Sequence, residues 1–154
     1  MITSASGRRF IEQWEESGKP LLTARWDSLG RCWEIGFGHT SAAGQPRVHP
    51  NTTITPAEAD AILASDLSGV EAVVNHYVMV PINQNQFDAL VSFDFNTGGL
   101  ARSSLLRAIN HHLDGIKNDF LLWDHAHGVF VQGLYNRRLA EWHIFNTPIP
   151  DAVA

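Results

Sequence analysis

Glu15, Glu16, Asp27 and Glu34 stand close together in an N-terminal stretch, FIEQWEESGKPLLTARWDSLGRCWEIGFGHT from Phe10 to Thr40. Carboxyl groups held in unlike surroundings are suited to acid and base catalysis, because one can keep a proton while its neighbour has lost it. Glycoside hydrolysis needs that division: a proton for the leaving oxygen, and a base or nucleophile at the anomeric carbon. Solvated surface charges would give the same composition. What separates the two readings is how the elements carrying these residues place them.

Phe10, Ile11 and Trp14 recur at helical spacing, and the stripe stops before Gly18, so Glu15 and Glu16 fall in the last turn of a first helix capped by Ser4 or Ser6. A helix C-terminus presents roughly half a negative charge, which disfavours an ionised carboxylate there. With Trp14, Trp26 and Trp33 near in sequence, desolvation is expected to push the same way and to keep one glutamate protonated near neutral pH. Asp27 opens Asp-Ser-Leu-Gly, which is turn chemistry at a wet hairpin tip, so it is expected to stay ionised. Glu34 lies on the returning strand.

Glu15 after Trp14, Ala24-x-x-Asp27, Gly30, and Trp33-x-Ile-Gly-Phe-Gly-His-Thr40 together resemble the phage-type lysozymes, or endolysins, of glycoside hydrolase family 24. The resemblance continues through TITPAEADAILASDL (53–67), VPINQNQFDALVSFDFNTG (80–98), SSLLRAIN (103–110) and GLYNRRLAE (133–141), in the family's order. It implies an α+β lysozyme-like fold over 1–154 as one catalytic domain. A small N-terminal β-hairpin or sheet lobe and a mostly helical C-terminal lobe would be joined by a long helix, with a substrate cleft between the lobes.

The resemblance also implies a muramidase that cleaves the β-1,4 bond between N-acetylmuramic acid and N-acetylglucosamine in peptidoglycan. Glu15 is then the proton donor, Asp27 directs the attacking water, and Thr40, Phe95 and Ser104 bind sugar. An inverting reaction of this kind separates its carboxyls by about 6.5–9.5 Å to admit the water. Two departures stand out. The connection from Glu15 to Asp27 is longer than the family's, and matching from the hairpin side would make Glu16 the acid; the offset from Ile11 and Trp14 favours Glu15. Glu34 occupies the position of a family threonine. It could share base duty with Asp27, act as a nucleophile within about 5–5.5 Å of the acid, weaken the enzyme, or swing out to solvent.

The rest of the chain bounds these readings. With 154 residues and 44% hydrophobic content there is enough for one buried core and too little for two ordinary ones. A formal charge of −5, with scattered Lys and Arg, argues against nucleic acid as a partner and offers no attraction to anionic walls. Cys32 is the lone cysteine, which suits a reducing compartment. No apolar run near the start serves as a signal peptide or anchor, so synthesis in the host cytoplasm and no membrane insertion are expected, and the resemblance implies release through a separate holin. The protein is expected to be a monomer acting on peptidoglycan glycan strands without a cofactor. His111-His112 and His125-x-His127 lack partners at ligand spacing, so no metal site is expected. Two further readings remain open: a relative acting on chitin or chitosan, and a non-catalytic wall-binding or phage structural module.

Thr55, Pro56 and Glu58 predict a capped second helix running on through Val74 with one break; Asn83 and Gln86 predict a third, apolar on most sides, ended by Gly98. Helices are expected over 103–112, 116–126 and 135–145, with strands confined to the first hairpin and its neighbour. Trp123, Tyr135 and Trp142 read as core rather than sugar-stacking residues. The resemblance implies an ion pair between His39 and Asp66 that ties the hairpin to the next helix, and Arg137, Arg138 with Glu141 read as a helix-stabilising cluster.

Overall fold

The computed structural model describes residues 1–149. The chain divides into two compact units, Arg8–Gly69 and Met1–Gly7 with Val70 onward.

The unit Arg8–Gly69 holds most of helix α1 (Ala5–Glu16), a three-stranded antiparallel sheet in the order β1 (Leu21–Asp27), β2 (Cys32–Gly36), β3 (His39–Thr40), and the first part of α2 (Pro56–Tyr77). Its buried residues include Ile11, Ile35, Phe37, Ala59, Leu63 and Leu67, so the α1 stripe and the Ile-Gly-Phe run both contribute core. The helix α2 begins where its sequence signals it: the Glu58 N–H donates to Thr55 Oγ1, and Glu58 Oε2 accepts the Thr55 N–H at 2.7 Å. Those bonds hold the Glu58 carboxyl below its ordinary range. The expected break is absent. One glycine in a helix costs only about 1 kcal/mol relative to alanine, and Gly69 continues the helix between Leu67 and Val70.

The pair His39 and Asp66 forms as expected within this unit, joining β3 to α2. His39 is 2% exposed; its Nδ1 lies 2.9 Å from Asp66 Oδ2, and its Nε2 meets the Pro46 carbonyl at 2.9 Å. The ring is therefore fixed from both sides.

In the second unit, α3 (Gln84–Thr97) has Phe87 through Asp94 buried and is closed by Gly98 at φ +55°, where the left-handed backbone suits glycine. The Asn83 and Gln86 capping box is complete. A short 3₁₀ turn (Leu100–Arg102), α4 (Ser104–Asn110), α5 (Ile116–Leu121), a hairpin of β4 (His125–Ala126) and β5 (Val129–Phe130), and α6 (Gln132–Phe145) follow. Ser4 caps α1, accepting the Gly7 N–H at 3.0 Å, and is itself held by buried Asp88 of α3.

The helix expected over 116–126 stops at Leu121, and a hairpin takes the rest. His127 and Gly128 take φ of +51° and +77°, the left-handed pair that closes a tight two-residue turn. Trp123 is half-buried as a core contact, 5.4 Å from the Phe93 ring, and Lys117 lies over the Trp142 ring. The pair Arg137 and Arg138 is more than a local helix cluster. With Glu141 they are buried, and Glu141 Oε1 also accepts from Ser92 Oγ of α3 at 2.7 Å. Burial pushes the Glu141 carboxyl up, against the pull of Arg138, whose Nε is 2.7 Å away, and of Arg137.

Candidate active site

Glu16 Oε1 accepts from Arg25 Nη2 at 2.8 Å, so its side chain is drawn along the sheet. Glu15, one residue earlier and about 100° around the helix, reaches the β2–β3 turn: its Oε2 lies 4.0 Å from where a Cβ on Gly38 would stand. Gly38 has φ +86°, a conformation favouring glycine, which keeps the backbone bare at that point.

Asp27 is the last residue of β1, paired with Cys32 across the turn. Its Oδ1 accepts the Leu29 N–H at 2.9 Å and its Oδ2 the Gly30 N–H at 2.8 Å. Both oxygens are thus tied to the main chain of their own turn, which fixes the carboxylate. A Cβ on residue 30 would collide with Oδ2, so the glycine allows the close approach.

The strand register sets the rest. Arg25 faces Glu34 across β1 and β2, and Glu34 faces Thr40 across β2 and β3. Side chains alternate along a strand, so Arg25, Asp27, Glu34 and Thr40 share one face of the sheet. On that face Asp27 and Glu34 are diagonal neighbours, a relation that spans roughly 7–8 Å. Trp26 and Trp33, paired edge to face at 5.5 Å, line the reverse face. Neither tryptophan shares the face that meets Glu16 through Arg25, because a one-residue step along a strand flips the face.

Glu34 Oε1 accepts from Arg25 Nε at 2.9 Å and Nη2 at 2.7 Å. These bonds, and the charge of Glu16, hold the Arg25 guanidinium above its ordinary value. The swing of Glu34 out to solvent is thereby opposed. Arg25 is the site residue that the sequence reading missed. Its signal was present: counting back two residues on each side of the hairpin from Asp27 and Cys32 puts Arg25 opposite Glu34.

Thr40 is half-buried beside Glu34. Phe95 and Ser104 belong to the other unit; Phe95 is half-buried on α3, and exposed Ser104 donates to Asp119 Oδ1. Among the described residues there is no group of three or more His, Cys, Asp or Glu placed to hold a metal ion.

The sequence profile described as phage lysozyme matches residues 17–141. The chain belongs to the phage lysozyme family. An endolysin of Bacillus phage PZA is 36% identical over 157 residues, covering 100% of this chain and 58% of the relative. The chain therefore spans somewhat more than half the length of that relative. The crystal structure of a P22 lysozyme mutant superposes with a TM-score of 0.81 at 32% identity, covering 96% of this chain and 99% of that one. The muramidase domain of SpmX from Asticaccaulis excentricus gives 0.82 at 31%, covering 94% and 97%. The fold is thus the α+β lysozyme fold. The family profile begins at Ser17, just past Glu15 and Glu16, so the choice between those two rests on their geometry.

Proposed function

We propose that this chain is a peptidoglycan hydrolase of the muramidase type, cleaving the β-1,4 bond between N-acetylmuramic acid and N-acetylglucosamine in phage-directed lysis of the bacterial wall. Glu15 in its acid form gives its proton to the glycosidic oxygen as that bond breaks. A water attacks the anomeric carbon from the opposite face and passes its proton to Asp27, with Glu34 assisting on the water side. Thr40, Phe95 and Ser104 contribute to sugar binding.

What carries the reading is that Glu15, Asp27, Glu34 and Thr40 all fall within one compact unit of a phage lysozyme family fold, with Glu16 diverted to Arg25. Digestion of purified peptidoglycan followed by mass spectrometry of the fragments tests it: new reducing ends on N-acetylmuramic acid are expected, with chitin and chitosan left intact. Cleavage of chitin at a comparable rate would assign the chain to a different polymer.

A second reading, a wall-binding module that does not cleave, draws support from the Arg25 ion pair on Glu34. Retention on purified walls with no reducing ends released would select it. No helix among the described residues is long and apolar enough to cross a membrane. On the preferred reading the enzyme acts as a monomer, without a cofactor, after release through a separate holin.

A further inference from the structure

We propose that Arg25 is a positioning residue of this site: it clamps one oxygen of Glu34 so that the other is presented to the attacking water beside Asp27. This rests on the reading of Glu15 and Asp27 given above and adds to it a residue on the sheet that touches neither sugar nor water.

The geometry is specific. Arg25 and Glu34 are direct cross-strand partners, and two guanidinium nitrogens, Nε and Nη2, converge on the single oxygen Oε1 at 2.9 and 2.7 Å. Among the described residues no hydrogen bond or ion pair reaches Oε2, so that oxygen is left as an acceptor. Nη2 is in turn held by Glu16 Oε1 at 2.8 Å from the end of α1, so the clamp is fixed at both ends. A glutamate left to itself loses up to about 2 kcal/mol of rotamer entropy when it is held in one place; a clamp already in the resting protein lifts that cost from the reaction. Arginine suits the task because its planar fork sets several donors in fixed directions, whereas a lysine ammonium is a single mobile point.

Charge adds a second reason. Of the ionisable groups around Glu34, Arg25 of β1 pairs with it directly, Asp27 and Cys32 share its face of the sheet, and Glu16 of α1 meets it through Arg25. Two carboxylates sharing one face of a sheet repel, and the guanidinium on Glu34 offsets the second charge. Asp27, already tied to its own turn, then keeps the base role while Glu34 orients the water.

The test is a double-mutant cycle on soluble, uncrosslinked glycan strands, reading initial rates of reducing-end release for wild type, Arg25→Met, Glu34→Gln and the double variant, with Arg25→Lys as the conservative control. Near-ultraviolet circular dichroism checks folding, and Arg25 is half exposed, so its loss leaves the core intact. Arg25→Met is expected to lower kcat by about tenfold or more with KM within about twofold, as a misplaced reacting group does. Arg25→Lys falls between, and the double variant is no slower than Glu34→Gln alone. Equal rates for Arg25→Met and wild type, no loss in Glu34→Gln, or losses that multiply in the double variant would each overturn the proposal. A Glu15→Gln variant in the same series separates the premises: if it cleaves at the wild-type rate, the underlying acid assignment fails whatever Arg25 does.

Discussion

Glu12, on helix α1, shows how partial burial acts on a carboxyl even with the charges of Arg8 and Arg9 pulling the other way. Partial burial, and then the charge of Asp60, hold its pKa above the ordinary 4.5. The folded state therefore binds this proton more tightly than the unfolded one. Stability from that group is present below pH 4.5 and is lost as pH rises through the folded value, so at neutral pH ionised Glu12 is a cost. Glu12→Gln is expected to raise stability at pH 7, by less than about 1 kcal/mol for a largely solvated group, and the gain should vanish below pH 4. A loss of stability at pH 7, read by thermal denaturation, would contradict that sign. Glu16 and Glu34 differ from Glu12 in having Arg25 within 2.8 and 2.7 Å.

At the scale of elements, the small sheet stands or falls with its ties to α2. His39 is buried in β3 and spans Asp66 and the Pro46 carbonyl. Replacing it with asparagine leaves buried acceptors with poorer partners, at about 1–3 kcal/mol. His39→Asn should thus melt several degrees lower while retaining wall cleavage well below its melting point. A variant that melts normally but is inactive would move His39 from scaffold to chemistry.

Which elements were legible in the sequence follows from how local their causes are. The caps at Thr55 and Asn83 are set by residues within three positions of one another, and each helix starts where its cap says. The hairpin carrying Asp27 is equally local. The helix expected through Ala126 overruns β4, because the deciding feature is the left-handed pair His127 and Gly128 just beyond it. The candidate carboxylates were legible as residue types gathered in one short stretch. Two things were not. The sheet's faces depend on exact register, which places Trp26 and Trp33 behind the carboxylates; and the cluster of Arg137, Arg138 and Glu141 reads as local to its helix because its further contact, Ser92, is far away in sequence.

For the whole molecule, the balance of charge sets how it meets its substrate. A protein with a net charge of −5 has no long-range attraction to an anionic wall. Raising salt from about 50 to 200 mM shortens the Debye length and screens repulsion rather than attraction. The rate of wall solubilisation is therefore expected to hold steady or rise over that range. A steep fall with salt would show that a local basic patch drives wall binding.

The central claim is that Glu15 delivers the proton and Glu16 does not. It is tested most directly by reducing-end release from purified peptidoglycan with Glu15→Gln and Glu16→Gln, both verified as folded. Glu15→Gln is expected to lose at least about 100-fold in rate, as the loss of a general acid does, while Glu16→Gln stays within about tenfold of wild type. Undiminished cleavage by Glu15→Gln, or abolition by Glu16→Gln alone, would contradict the account.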